Sequence, residues 1–147
     1  MEVVVTLSQV AIDRIQVSPD TVPTDFPESD GTLQWNSTTL VLVHAHGGNK
    51  VGLGYTYADT ATAILIGDTL SKTVEGQNAM ASAASWNAMV ACTRNLGRPG
   101  NVSMAISAVD IALWDLKARL LNVPLLILLF ALATSPCMAY ARASWRS

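Results

Sequence analysis

The chain has 147 residues, of which half are hydrophobic and only 14% are charged, and its mean hydropathy is +0.34. Disorder requires low hydrophobicity and high net charge, so this composition excludes a disordered chain and predicts one packed domain. Nine basic against eleven acidic residues give a net charge of −2. Because no basic excess is available to contact a phosphate backbone, we expect no nucleic-acid partner.

The first predicted elements are a strand and a long loop. Residues 10–17 predict a strand, because apolar and polar residues alternate towards its end. Pro19, Pro23 and Pro27 follow among acidic and polar residues and predict a loop over residues 18–33. Loops of this length are often lids or binding loops. We therefore treat it as a candidate functional segment.

A β-hairpin is predicted next. Residues 38–45 are rich in β-branched side chains, and residues 51–57 form a second strand-like segment. The intervening residues 46–50, His-Gly-Gly-Asn-Lys, tolerate the positive φ angles of a tight turn. The two segments should therefore pair in antiparallel fashion. The glycines match no phosphate-binding motif, since neither GxGxxG nor GK[ST] is present.

Two helices are predicted after the strands. Asp59 can cap a helix that runs to about Lys72, and Gly76 interrupts this helix. Asn78 can cap a second helix, which Gly97 ends. Both cap predictions depend on a side-chain oxygen that accepts a backbone N–H left unpaired at the start of a helix.

A third helix is predicted from Asn101 or Ser103 to Leu121, and it is apolar on nearly every side. A helix without a wide polar face is normally buried on several sides. Asp115 and Arg119 have the i,i+4 spacing of an ion pair, which we interpret as structural. Three strands followed by three helices predict an α+β fold, with a three-stranded antiparallel meander followed by a three-helix bundle.

The third helix also carries a family resemblance. Its segment AISAVDIALWDLKA, at residues 105–118, resembles the signature of the mandelate racemase/muconate lactonizing enzyme group of the enolase superfamily. The residues Gly-Arg-Pro-Gly at 97–100 and Gly-Leu-Gly-Tyr-Thr-Tyr at 52–57 fit the same group. Within it, the sequence is most similar to the acid-sugar dehydratases and mandelate racemase.

The resemblance implies a two-part enzyme, in which an N-terminal capping domain covers a (β/α)7β barrel. In that family the barrel binds Mg²⁺, and a lysine or histidine removes the proton α to a carboxylate. We assign residues 1–121 to the capping domain and residues 122–147 to an apolar tail, unlike the family, in place of the barrel. Lys50, Lys72 and Lys117 stand alone, so the Lys-x-Lys base is missing, as is the trio of metal-binding carboxylates. We therefore predict a truncated chain that is inactive alone, with neither catalytic residues nor Mg²⁺ ligands.

The resemblance also implies where a carboxylate or acid-sugar substrate would touch the chain once a barrel is present. The predicted loop corresponds to the family's mobile specificity loop, in which Val22, Thr24 and Phe26 would exclude water from the substrate. Tyr55 corresponds to a pocket-facing tyrosine, and Tyr57 belongs to the same segment. The alternative is that alternate residues of this segment are only core strand residues and that the loop is only a loop.

Other chemically interesting residues are interpreted as structural. His44 and His46 would share one strand face but lack a third ligand nearby, so we interpret them as surface histidines rather than a metal site. Cys92 and Cys137 lie far apart and are expected to be free thiols. The start of the chain does not resemble a secretory signal, so we expect a cytoplasmic location. The predicted packing residues are Trp35, Trp86 and Trp114.

The apolar tail supports an alternative function. No charge lies between Arg119 and Arg142, but Pro124 and Pro136 interrupt this stretch, so we do not expect a membrane helix. An apolar segment that remains exposed favours association. The alternative is therefore a non-catalytic module that forms homo-oligomers through its exposed apolar surface or associates with a membrane.

Overall fold

A computed structural model describes residues 9–133, in which a three-stranded antiparallel sheet of order β1-β2-β3 is followed by helices. The predicted α+β fold is confirmed. The strands are β1 Arg14–Ser29, β2 Gln34–Gly47 and β3 Lys50–Tyr57. The helices are α1 Thr60–Leu65, which continues through a π-helical segment Ile66–Leu70 into α2 Ser71–Val74, then α3 Ser82–Cys92, α4 Asn101–Leu120 and α5 Leu125–Ala133.

The prediction of a loop over residues 18–33 is wrong. Strand β1 begins at Arg14 and continues to Ser29, paired with β2 from Arg14↔His46 to Ser29↔Gln34, with one register shift between Pro23 and Glu28. Strand β3 covers β2 only as far as the pair Leu40↔Tyr57. Residues 21–39 therefore form a two-stranded hairpin that extends past the end of β3. We call this hairpin the arm and the three-stranded part the body of the sheet.

The prolines fit in β1 because of the side of the strand on which they lie. The backbone N–H of Ile15 points away from β2 and donates to Oε1 of Glu75 at 2.9 Å. Successive residues of a strand alternate their N–H groups between its two edges. Pro19 and Pro23 are four and eight residues further along, so they occupy outward positions where β2 needs no donor. Edge strands accept proline at such positions.

The predicted hairpin between β2 and β3 is confirmed. Gly47 pairs with Lys50, and the two residues between them, Gly48 and Asn49, have φ angles of 54° and 60°. A two-residue turn with positive φ at both positions matches the right-handed twist of the strands. Glycine and asparagine are the residues that adopt this conformation at low cost.

The helix predictions are correct in part. Asp59 caps α1 by accepting the Ala61 N–H at 2.9 Å, as predicted. Asn78 does not cap α3, which begins only at Ser82, because its Oδ1 instead accepts the Met80 N–H at 3.0 Å in a turn before the helix. The prediction that α3 extends to Gly97 is also wrong, since the helix ends at Cys92.

Helix α4 packs across the body of the sheet and forms the centre of the core. Gly52 and Gly54 of β3 lie against the backbone of α4, so closely that a Cβ at Gly54 would overlap the carbonyl oxygen of Ala108. Two glycines in one strand thus let the helix approach to backbone contact. The fully buried side chains around this contact include Val41, Val43, Ala45, Ile66, Leu70, Met89, Ile106, Leu113 and Leu116.

The predicted apolar tail, residues 122–147, contains α5, whose exposed side chains include Leu126, Ile127, Leu129 and Phe130. Residues 134–147, with Cys137, lie outside the described residues. From residue 9 to residue 133, none of the helices combines the length and the apolar composition that a membrane crossing would require.

Candidate functional site

The outer face of the sheet body, opposite the core, carries two of the predicted site residues. Tyr55 and Tyr57 are 53% and 63% exposed, and their rings meet edge to face with centroids 6.2 Å apart. Tyr55 lies opposite Leu42, and Tyr57 lies opposite Leu40. Both leucines are half-buried. The result is an apolar surface with two phenol hydroxyl groups at its edge.

The close packing of α4 determines which face of β3 the tyrosines occupy. Side chains alternate along a strand, and Gly52 and Gly54 take the positions against α4. The residues between and beyond them must therefore point outwards. The alternative prediction, that alternate residues of this segment are core residues, describes Gly52 and Gly54, which are buried, while Tyr55 and Tyr57 between and beyond them are exposed.

A carboxylate from α4 fixes the same segment of β3. Oδ2 of Asp115 accepts the backbone N–H of Leu53 at 2.8 Å and Nε of Arg119 at 2.7 Å. The predicted ion pair between Asp115 and Arg119 is thus confirmed. Because the Leu53 N–H lies at an open strand edge, Asp115 holds the backbone two residues before Tyr55.

The three predicted site residues of the arm divide into two groups. Val22 pairs with Thr38 and lies on the same face as Tyr57, two residue pairs beyond it along the sheet. Thr24 and Phe26 lie in the register shift between Pro23 and Glu28, where Oγ1 of Thr24 donates to the carbonyl oxygen of Phe26 at 2.7 Å. Phe26 is 80% exposed. The structure therefore places Val22 with the tyrosines and leaves Thr24 and Phe26 near the tip of the arm.

The arm contains a further candidate that the sequence analysis treated only as packing. Trp35 is half-buried, and its Nε1 donates to Oε2 of Glu28 at 2.9 Å across the hairpin. It lines a cavity of about 320 Å³ together with Pro27, Gln34 and Asn36. The sequence shows that Trp35 lies between two residues with amide side chains. Only the pairing of the two strands shows that Pro27 lines the same cavity.

A second cavity, of about 550 Å³, lies at the opposite end of β3 from Tyr57. It is formed where the β2–β3 turn meets the junction of α4 and α5. Its charged lining residues, Lys50 and Arg119, are both basic. The remaining lining residues are Asn49, Val51, Asn122, Val123 and Pro124.

Among residues 9–133, Asp30, Asp110 and Lys117 have shifted pKa values, and all three lie away from the tyrosine face. Hydrogen bonds from the backbone of Leu33 and from the side chain and backbone of Thr32 lower the pKa of Asp30 to about 2 in the turn of the arm. Burial raises the pKa of Asp110 and lowers that of Lys117 on α4. The sheet separates α4 from the outer face, so these two groups do not act on a ligand there.

The described part of the chain offers no donor set for a metal ion. Between residues 9 and 133, no three His, Cys, Asp or Glu side chains form a group that could hold one. His44 and His46 share the outer face, as predicted, and Nε2 of His46 lies 3.4 Å from a guanidinium nitrogen of Arg14. The face thus offers apolar surface and hydrogen-bonding groups.

Comparison with known proteins confirms the predicted resemblance. Residues 11–129 match the model of the mandelate racemase/muconate lactonizing enzyme N-terminal domain. The L-rhamnonate dehydratase of Saccharopolyspora erythraea is 36% identical over 104 residues, covering 71% of this chain and 26% of that enzyme.

Two solved structures have the same fold. A mandelate racemase/muconate lactonizing enzyme-like protein from Rubrobacter xylanophilus is 57% identical with a TM-score of 0.76, covering 78% of this chain and 32% of its own. A racemase from Streptomyces coelicolor A3(2), solved with bound magnesium, is 32% identical with a TM-score of 0.70, covering 73% of this chain and 32% of its own. The chain spans about a third or less of the length of these relatives.

Proposed function

This chain belongs to the mandelate racemase/muconate lactonizing enzyme family, in which it matches the N-terminal domain, and from that premise we propose that it is the capping domain of an acid-sugar dehydratase or racemase. Its role would be to cover a substrate held by a barrel and to contribute to substrate specificity. The similarity to an L-rhamnonate dehydratase and to a racemase supports this substrate class and these two reaction types.

The observation that carries the proposal is the exposed face formed by Tyr55 and Tyr57. A phenol ring can pack against the carbon skeleton of a sugar acid, and its hydroxyl can donate a hydrogen bond to a hydroxyl or carboxylate oxygen. Val22 continues the apolar surface, while Thr24 and Phe26 are carried near the tip of the arm. When the arm lies over the substrate, these side chains would exclude water and strengthen the polar contacts below them.

The chemical step would depend on groups outside residues 9–133. A related racemase binds magnesium, but the described residues contain no group of three metal-ligating side chains. They therefore do not fit the ion, and we derive no step through it. In this proposal the chain supplies contacts and closure, while proton removal and metal binding belong to a barrel.

The first experiment tests whether the chain is inactive alone. We expect no dehydration of L-rhamnonate and no racemisation of mandelate above background when the purified chain is incubated with Mg²⁺. The control is a full-length relative assayed in parallel. Turnover by the isolated chain that depends on protein concentration would contradict the proposal.

The second experiment tests the role of Tyr55 in a complete enzyme. Residues 11–124 of this chain would replace the matching part of the S. erythraea dehydratase. In that chimera, Tyr55→Phe should lower kcat/KM about tenfold, the effect of losing one hydrogen bond to a charged substrate. Leu96→Ala is the matched control, since Leu96 is similarly exposed but lies on the loop after α3. Equal kcat/KM values for the parent chimera and Tyr55→Phe would contradict the assignment.

The second candidate is a non-catalytic module that associates with itself, which the exposed side chains of α5 favour. A monomer over a wide concentration range would count against it.

In either case we propose a cytoplasmic location and no nucleic-acid partner, on the basis of a free thiol at Cys92 and a net charge of −2. Fluorescence imaging of the tagged chain and an electrophoretic mobility assay test these two points.

A further inference from the structure

The cavity between the β2–β3 turn and the junction of α4 and α5 carries charge of one sign, and we call it the basic cavity. Lys50 and Arg119 line it, and no acidic side chain of residues 9–133 does. The two cations stand on different elements, Lys50 at the start of β3 and Arg119 in the last turn of α4. A cleft lined by one sign of charge raises the local concentration of the opposite ion. The basic cavity is therefore a candidate site for an anion.

The guanidinium of Arg119 is held in place and still has donors to offer. Its Nε donates to Oδ2 of Asp115 at 2.7 Å, and the same oxygen accepts the backbone N–H of Leu53. Within the described part of the chain, neither terminal nitrogen of Arg119 has a hydrogen-bond partner. A fixed guanidinium can bond two oxygens of one anion and loses little further side-chain entropy when it does so.

Lys50 supplies a charge that no carboxylate offsets. From residue 9 to residue 133, no acidic oxygen lies within ion-pair distance of its ammonium group. Its backbone pairs with Gly47 across the turn, so only the side chain is free to move. Because Asp115 offsets the charge of Arg119, the excess positive charge of the basic cavity lies at Lys50.

Two asparagines in an uncommon backbone conformation belong to the same lining. Asn49 and Asn122 have φ angles of 60° and 54°, and no other non-glycine residue between 9 and 133 has a positive φ. Both line the basic cavity. Glycine adopts this conformation more readily than asparagine, so the backbone alone requires asparagine at neither place. What asparagine adds is an amide group with two N–H donors, and residues in such conformations cluster at ligand sites.

The carbonyl groups at the end of α4 do not compete with an anion for these donors. The backbone N–H groups of residues 121–123 donate to the carbonyl oxygens of residues 117–119 at 3.0 to 3.2 Å. The partial negative charge of a helix C-terminus resides on its unpaired carbonyl groups. These bonds therefore weaken the repulsion that an anion would otherwise meet here.

We propose that the basic cavity binds the phosphate group of a small molecule. A phosphate monoester has nearly two negative charges at neutral pH and three terminal oxygens that accept hydrogen bonds, which suits two cations and two amide groups. A carboxylate has one charge and two oxygens, so it would leave some of these donors unbonded. The cavity, with about 550 Å³, also has room for the rest of a small phosphorylated molecule.

The proposed phosphate site is independent of the proposed enzymatic role. Lys50 and Tyr57 are the two ends of β3, about 23 Å apart along an extended strand. A small ligand at Lys50 therefore does not contact Tyr57. It contacts the β2–β3 turn and the α4–α5 junction together, so phosphate should also raise the Tm of the chain by mass action.

Isothermal titration calorimetry of the full chain at constant ionic strength tests the proposal, with inorganic phosphate and glycerol phosphate as probes. We expect saturable binding of both, with a Kd of about 1 mM or lower and binding of the ester that is at least as tight. Lys50→Gln should raise each Kd about tenfold, the effect of losing one hydrogen bond to a charged group. The matched control is Lys72→Gln, which removes the same charge from an exposed position on α2 and should leave Kd unchanged.

Asn122→Gly separates ligand binding from folding. Glycine accepts the positive φ of this position, so the variant should stay folded by circular dichroism. It removes one amide donor and should raise the Kd for phosphate about fivefold. Asn49→Gly, in the turn, should act in the same direction. A purely structural role of the two asparagines would leave phosphate binding unchanged in both variants.

Several outcomes would overturn the phosphate site. The first is an absence of saturable binding up to about 10 mM phosphate. The second is a Kd that is the same in the wild type, Lys50→Gln and Asn122→Gly, because the ligand would then lie elsewhere. Acetate that binds as tightly as phosphate would assign the cavity to carboxylates instead. Glycerol phosphate that binds more weakly than inorganic phosphate would contradict the assignment to a phosphorylated organic molecule.

Discussion

Strands β1 and β2 run through both the body of the sheet and the arm, but only in the body do helices pack against them. In the body, Val41, Val43 and Ala45 of β2 are completely buried under the helices. In the arm, Phe26 and the turn residue Leu33 are 80% and 70% exposed. The same hairpin thus changes from a core element to a surface element along its length.

In the arm, side-chain hydrogen bonds between the two strands take the place of a hydrophobic core as stabilising contacts. Oγ1 of Thr21 and Oγ1 of Thr39 are 2.8 Å apart across the strands, and Trp35 bonds to Glu28. Isolated two-stranded hairpins are only marginally stable in water. We therefore expect the arm to open locally while the body remains folded, which is a common property of segments that cover ligands.

The largest expected difference between body and arm concerns glycine. Gly54→Ala should destabilise the fold by about 4 kcal/mol or more, because its Cβ would overlap the backbone of α4 at Ala108 and Ala112. In the arm, Gly31 has φ +91° but open space around it, so Gly31→Ala should cost only about 1–2 kcal/mol. Urea unfolding followed by circular dichroism measures both. Equal losses at the two positions would contradict the proposed difference in packing.

An intermediate effect is expected for two carboxylates that accept hydrogen bonds. Asp115→Ala leaves the Leu53 N–H without its partner and should cost about 1–2 kcal/mol. Glu28→Ala, the counterpart in the arm, should change global stability by less than about 0.5 kcal/mol, because its bond to Trp35 lies in an exposed hairpin. Amide hydrogen exchange should accelerate at Leu53 only in Asp115→Ala. Slow exchange at Leu53 in that variant would show that Asp115 does not protect the edge.

The smallest expected effect is a pH dependence of opposite sign in the two regions. The pKa of Asp30 falls from its ordinary 3.8 to about 2 in the folded arm. Its contribution to the stability of the arm is therefore present above pH 3.8 and is lost as the pH falls towards 2. Burial raises the pKa of Asp110 in the body. Its contribution to the stability of the body is therefore present below pH 3.8 and is lost as the pH rises through the folded-state pKa.

Carboxyl chemical shifts followed by NMR during titration test both signs. Asp30→Asn keeps the side-chain acceptor for the turn and should remove the loss of arm structure on acidification. Asp110→Asn should remove the loss of stability that accompanies a rise in pH. An Asp30 carboxyl that titrates near 3.8 would show that the turn does not hold its charged form.

Local sequence patterns predicted the elements whose determinants lie within a few residues. The apolar stretch of α4, the cap at Asp59 and the Gly48-Asn49 turn belong to this class, because helix caps and tight turns depend on nearby φ angles and hydrogen bonds. The same local approach placed Asn78 as a cap, but its Oδ1 serves a separate turn instead. A local pattern identifies a suitable residue without deciding which neighbouring backbone group it binds.

The candidate site was predictable residue by residue but not as an arrangement. The family resemblance indicated Tyr55 and Tyr57 as well as Val22, Thr24 and Phe26. Only the strand pairing shows that Val22 shares the face of the tyrosines, while Thr24 and Phe26 lie at a register shift. Trp35 was treated as packing because its bond to Glu28 spans seven residues across the hairpin.

The sequence by itself determined the α+β fold, through the periodicity of its strands and helices, and the family, through a long helix that matches the family's signature. Only the tertiary structure decided that residues 18–29 form a strand. Proline disfavours a strand when its missing N–H is needed for pairing, and Pro19 and Pro23 lie on the side of β1 where no strand pairs. That side is defined by β2 and Glu75, which lie far from these prolines in the sequence. The arm therefore arises from contacts that no local pattern contains.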